Sequence, residues 1–217
     1  FDGTTYRLLT DGETAETDLA SEPNGGNIII VGATVDSDTA NGSDNTKRFL
    51  ETYRASGGCK ADSVEIIDST FSPSSETDLD AILVHRDGGG ELDLTVLDSV
   101  FSDAKTGVFV TSSEGDETDG RVRIEGNTFS KLLAGIGGLQ EVADGASVVI
   151  KDNSFDNLSE AIGLNGQGNG TLSFTDNTFG RGQNSSINWY DGDFRGTGFI
   201  EFTPDAEEGL LEDTFDF

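Results

Sequence analysis

Apolar and polar residues alternate in short bursts along most of this chain, and each burst closes the same way. In the clearest copy Val64 and Ile66 flank Glu65, Asp68 and Ser69 follow, and Phe71 ends the phrase. Leu94, Val96, Asp98, Ser99 and Phe101 repeat it, as do Val122, Ile124, Gly126, Asn127 and Phe129. Val148, Ile150, Asp152, Asn153 and Phe155 form the next copy, and Leu172, Phe174, Asp176, Asn177 and Phe179 the last; Ile28, Ile30, Gly32, Ala33 and Val35 are a looser early one. Alternation with period 2 predicts a strand with one buried face. The Ser or Asn after it predicts a bend, where that residue is expected to take the left-handed backbone conformation. A second alternation begins seven to eleven residues beyond each Phe: Ile82 and Val84, Val108 and Val110, Ile136, Ile162 and Leu164, Ile187 and Trp189.

Anchors at 35, 71, 101, 129, 155 and 179 give spacings of 36, 30, 28, 26 and 24, so the loops shorten toward the C-terminus while the strands persist. A unit this small cannot cover its own inner face, whereas like units stacked about 4.8 Å apart can. The expected fold class is therefore all-β: a right-handed parallel β-helix solenoid of about seven coils, with like residues on like. Residues 1–217 read as one domain, with coils over 27–198 and atypical capping ends at 1–26 and 199–217. An insertion at 36–60 is expected to hold one short helix around Lys47, Arg48, Phe49, Leu50, Tyr53 and Arg54. A leucine-rich-repeat horseshoe would need several Leu per repeat and convex-side helices, which the pattern lacks.

The Ser/Asn column beside a Phe column resembles the asparagine ladder and aromatic stack of the pectate-lyase-like right-handed β-helices. That resemblance implies a groove across the strand following each Phe, worked by outward side chains. If the apolar members of the second alternation point inward, the outward set is Leu83, His85, Phe109, Thr111, Gly137, Gly163, Asn165, Asn188 and Tyr190. No carboxylate falls in that set, although hydrolases of this kind need two or three Asp on neighbouring coils. A lyase would need a Lys or Arg base beside calcium. The candidate catalytic groups lie instead at the margin, in His85, Arg86 and Asp87 and in Asp191 and Asp193. The candidate binding residues are Leu83, Phe109, Tyr190, Asn165 and Asn188, neutral and partly aromatic, as a sugar or a partner protein would require.

Charge narrows the partners further. Forty-one acidic residues against 13 basic ones give a net −28, which repels nucleic acid and anionic membranes alike. Carboxylates are spread along the whole chain, and in molar salt, where the Debye length is about 3 Å, their repulsion largely vanishes. A halophile is the expected source, and an extracellular, cell-surface or virion address the expected location. Asp36, Asp38 and Asp44 resemble a cation loop, and Asp152 and Asp176 belong to an acidic column where calcium or sodium would be invited; no cofactor is required. Cys59 is alone, so no disulfide closes within the chain. No apolar run nears the roughly 20 residues of a membrane span, and a mature or trimmed product is expected. The expected function is a non-catalytic structural and recognition module of a surface, tail or spike protein, binding a glycan or partner and open to trimer or fibre assembly. The alternative is a polysaccharide lyase or glycoside hydrolase.

Overall fold

The computed structural model describes residues 5–9, 27–35, 50–51, 63–72, 80–86, 92–112, 120–139, 145–164, 170–180, 185–189 and 200–203. Among them every regular element is a strand and every pairing is parallel. The first sheet runs in chain order through Thr5–Leu9, Asn27–Val31, Ser63–Ile67, Leu92–Leu97, Gly120–Glu125, Ser147–Lys151, Thr171–Thr175 and Ile200–Thr203. A second, of short strands, holds Thr34–Val35, Thr70–Phe71, Val100–Ser102, Thr128–Ser130, Ser154–Asp156 and Thr178–Phe179. The third holds Leu50–Glu51, Ile82–Arg86, Thr106–Ser112, Ala134–Leu139, Glu160–Leu164 and Ser185–Trp189. From residue 63 to 189 the chain visits the three sheets in fixed rotation, an order compatible with a parallel β-helix.

The register follows the sequence phrases. Val35, Phe71, Phe101, Phe129, Phe155 and Phe179 pair in one unbroken row. On the first sheet Ile28, Val64, Leu94, Val122, Val148 and Leu172 form one buried row, and Ile30, Ile66, Val96, Ile124, Ile150 and Phe174 another. A one-residue slip would turn both rows outward, so burial itself pins the pairing. Ile82, Val108, Ile136 and Ile162 are fully buried on the third sheet, in the same core cluster as these rows. Rings of Phe101, Phe129, Phe155 and Phe179 stack with centroids 5.4, 5.0 and 5.5 Å apart. These rings dictate what can lie opposite: a Cβ on Gly107 would stand 2.6 Å from Phe129 Cδ1, and one on Gly135 2.8 Å from Phe155 Cδ1.

At the bend, one expectation is corrected. The left-handed residue is not the Ser or Asn but the one before it: Gly32, Asp68, Asp98, Gly126, Asp152 and Asp176 all have φ between 49° and 71°. Each of the first five donates its N–H to the strand of the next coil, as Asp98 does to the Glu125 carbonyl at 3.0 Å. Turning there leaves the Asp exposed and swings the following side chain inward, so Ser69, Ser99, Asn127, Asn153 and Asn177 are buried. A second left-handed corner follows the Phe row, at Asp103, Lys131 and Asn157. It delivers Ala104, Leu132 and Leu158 into the core, three residues the phrases did not include.

Three segments also depart from the sequence reading. Leu50–Glu51, placed there in a helical insertion, is a strand paired with Ile82–Leu83, and the rest of 36–60 lies outside the described residues. Ile200 and Phe202 pair with Leu172 and Phe174, while Thr5–Leu9 pairs with Asn27–Val31, so the first sheet runs on into both segments assigned to the ends.

Candidate functional site

The outer side of the third sheet carries the candidate binding strip, and its register is set by the inward residues. With Ile82, Val108 and Ile136 in one buried row, the backbones of Leu83, Phe109 and Gly137 pair at the next position along. The Glu51 backbone pairs with that of Leu83, at a position the sequence reading left out. It was missed because residues 36–60 carry no alternation to mark a strand.

Phe109 is half-buried, and the reason lies in its neighbours. The register slips between Ile136 and Leu139, an extra residue that forms a bulge at Gly137–Gly138. Gly138 has φ 75°, a left-handed conformation that glycine adopts without strain. A Cβ there would collide with the Val110 carbonyl oxygen and stand 2.9 Å from Phe109 Cε2; one on Gly137 would stand 3.2 Å from Phe109 Cδ2. The ring therefore lies beside two bare backbone units and is partly exposed. The bulge also passes the inner place to Leu139, which is 1% exposed and to which the sequence reading assigned no direction. Gly137 and Gly163, expected on the outer face, are themselves buried. Gly163 pairs with Asn188, one strand nearer the C-terminal edge.

Other candidates are less concentrated. The His85 and Arg86 backbones pair with Thr111 and Ser112, at the same end of the sheet as Leu83. Their strand is four steps from Ser185–Trp189 in sheet order, a separation of roughly 19 Å. Asp87, Asn165, Tyr190, Asp191 and Asp193 lie outside the described residues, as do Asp36, Asp38 and Asp44.

Of the acidic column, Asp68, Asp98, Asp152 and Asp176 are all exposed. Gly126 interrupts it, and the Asp98 carboxylate occupies the space a Gly126 side chain would need. Lys151 Nζ lies 3.1 Å from Asp152 Oδ2. That hydrogen bond first, then the charges of Asp152, Glu125 and Asp176, raise the Lys151 ammonium above its ordinary value. Lys151 thus lies in the part of the column where a cation was expected. Among the described residues no cluster of three or more His, Cys, Asp or Glu side chains is grouped to hold a metal ion. Nor does any of them form a helix long and apolar enough to cross a membrane. No protein-family model, curated protein or solved structure significantly matches the chain.

Proposed function

We propose that this protein is a right-handed parallel β-helix of about seven coils serving as a non-catalytic extracellular recognition module of a halophile surface, tail or spike protein. Its strip on the third sheet receives a glycan. The observation that carries this reading is Phe109: a partly exposed ring beside the Gly137–Gly138 bulge, in a protein otherwise dominated by carboxylates. Pyranose rings present an apolar C–H face to such a platform. At a net −28, neutral sugars are favoured over uronic or sulfated ones. No cofactor is needed. The even spread of acidic residues supports a high-salt habitat.

His85 and Arg86, on the same strand as Leu83, support the second reading, a polysaccharide lyase or glycoside hydrolase. One titration separates the two. The whole chain in multimolar NaCl, with and without calcium, is mixed with neutral and acidic oligosaccharides while binding and newly formed reducing or unsaturated ends are followed. Binding of a neutral glycan that Phe109→Ala lowers tenfold or more, with no cleavage, is expected. Release of new chain ends establishes the enzyme reading, and binding indifferent to Phe109→Ala overturns the platform.

A further inference from the structure

Asparagine is used in two ways in this chain, and the residue two places on tells them apart. Asn127, Asn153 and Asn177 are each followed at that distance by Phe, lie buried in the ladder, and donate their amides to carbonyls of the coil before. Asn157 is followed instead by Leu158 and Ser159, which completes the Asn-X-Ser acceptor pattern for N-linked glycans. It is exposed, and among the described residues no partner holds its side chain. The same pattern at Asn41, Asn169 and Asn184 lies outside the described residues.

The backbone explains the exposure. Asn157 stands at the corner between Ser154–Asp156 of the second sheet and Glu160–Leu164 of the third, with φ 56°, a left-handed conformation that Asn tolerates better than most side chains do. Phe155 and Leu158, 0% and 2% exposed, fix the chain in the core on either side of it. The Asp156 carbonyl accepts the Lys131 N–H at 3.2 Å, and the Glu160 N–H donates to Leu133 O at 3.0 Å, so the corner is tied to the coil before it on both flanks. Asp103 and Lys131 occupy the same corner in the two preceding coils, with φ 56° and 53°, and their charged ends lie 3.8 Å apart. A side chain leaving this corner points to solvent, where a bulky substituent displaces no packed atom.

We propose that Asn157 carries an N-linked glycan, a reading that rests on the proposed extracellular address. In the transfer step Asn157 Nδ2 bonds to the anomeric carbon of an oligosaccharide carried on a polyprenyl phosphate. The carbon–oxygen bond to the phosphate breaks, the phosphate leaves with its electron pair, and Nδ2 gives up one proton. Ser159, half-buried, supplies the hydroxyl that completes the acceptor pattern. Leu158 is buried in the finished coil, so transfer takes place before this coil closes, and closing then leaves the sugar outside. A neutral glycan at this corner adds solubility without adding to the net −28.

Mass spectrometry of the full chain isolated from its source cells tests the proposal, with cell fractionation to show where the chain resides. Trypsin cuts after Lys151 and Arg181 and leaves Asn157 and Asn169 in the same peptide, so electron-transfer fragmentation makes the assignment. Asn157 is expected to carry a glycan in most of the secreted chains, with Asn153 bare. Asn157→Asp, which keeps a residue suited to the left-handed corner as at Asp103, and Ser159→Ala should each abolish the addition at this position, whereas Ser159→Thr should retain it. Circular dichroism confirms that each variant is folded. A secreted chain bare at Asn157, or an addition that persists in Ser159→Ala, overturns this proposal and leaves the extracellular reading standing. A chain that stays inside the cell and is bare at all four acceptor positions overturns both.

Discussion

The buried ladder is built in two ways along its length. In its first part Ser69 and Ser99 return their hydroxyls to the carbonyls of Ile67 and Leu97 in their own coils, at 2.9 and 2.8 Å, and accept one backbone N–H from the coil before. In its second part each amide does more. Asn127 Nδ2 reaches Val96 O in the preceding coil at 2.9 Å and Asn153 Oδ1 in the following one at 3.0 Å. Asn153 repeats the arrangement with Ile124 O and Asn177 Oδ1. The serine side chain therefore bonds only the coil before its own, through a single backbone contact, whereas the side chains of Asn127 and Asn153 bond the coils on both sides. The same bend can hold either residue, but only the longer side chain reaches both neighbouring coils. The stack of Phe101, Phe129, Phe155 and Phe179 overlaps the asparagine part.

The largest expected effect tests that overlap. Phe129→Ala removes a fully buried ring lying between Phe101 and Phe155, and should cost about 3–5 kcal/mol in guanidinium unfolding; a loss below about 1 kcal/mol would mean that the rings do not form the core. Next comes the direct comparison. Asn153→Ala strips the acceptor from the Asn127 N–H and amide and the donor from Ile124 O, and is expected to cost about 2–4 kcal/mol, against about 1 kcal/mol for Ser99→Ala. Equal costs would erase the distinction between the two parts. In the opposite sense, Ser99→Asn should extend the asparagine ladder by one rung and gain about 1 kcal/mol, provided its amide reaches the Ile66 carbonyl as that of Asn127 reaches Val96.

Smaller effects lie on the surface beside the ladder. Gly126→Asp would fill the gap in the acidic column against the Asp98 carboxylate. It should cost about 1 kcal/mol in 0.1 M salt and less in molar salt, where screening is nearly complete. A penalty indifferent to salt would assign it to sterics instead. The smallest effect is acid titration of Asp93. The Arg121 guanidinium, chiefly by its hydrogen bond, holds that carboxyl below the usual carboxylate range. A depressed native value means that the contribution is complete above the unfolded pKa near 3.9 and fades as pH falls through the native one. Asp93→Asn should therefore flatten the acid limb of stability slightly and leave neutral pH almost untouched.

Strand rows and the Phe column were legible in the sequence because two-residue alternation and a recurring large ring both report side-chain direction. Val64, Leu94, Val122 and Val148 fall in one row as the phrases require. Corners were read less well. A bend is set by the backbone of one residue, and the Asp before each rung takes the left-handed turn expected of the Ser or Asn. Ala104, Leu132 and Leu158 share the repeat spacing but have no alternating partner to flag them. In the candidate site the Leu83–Phe109–Gly137 row was readable, whereas the Gly137–Gly138 bulge was not, since an added residue looks like ordinary sequence until the partner strand is present.

In-register stacking of successive coils is tested most directly by engineered cysteine pairs in a Cys59→Ser background, placed on the outward row that pairs Val100, Thr128, Ser154 and Thr178. Adjacent members fall within disulfide reach, about 4.8 Å apart, whereas Val100 and Ser154 stand about 10 Å apart, beyond it. Mild oxidation should close the Val100/Thr128, Thr128/Ser154 and Ser154/Thr178 pairs within one chain and leave Val100/Ser154 reduced; closure of Val100/Ser154 with the adjacent pairs open would contradict the stacked coil.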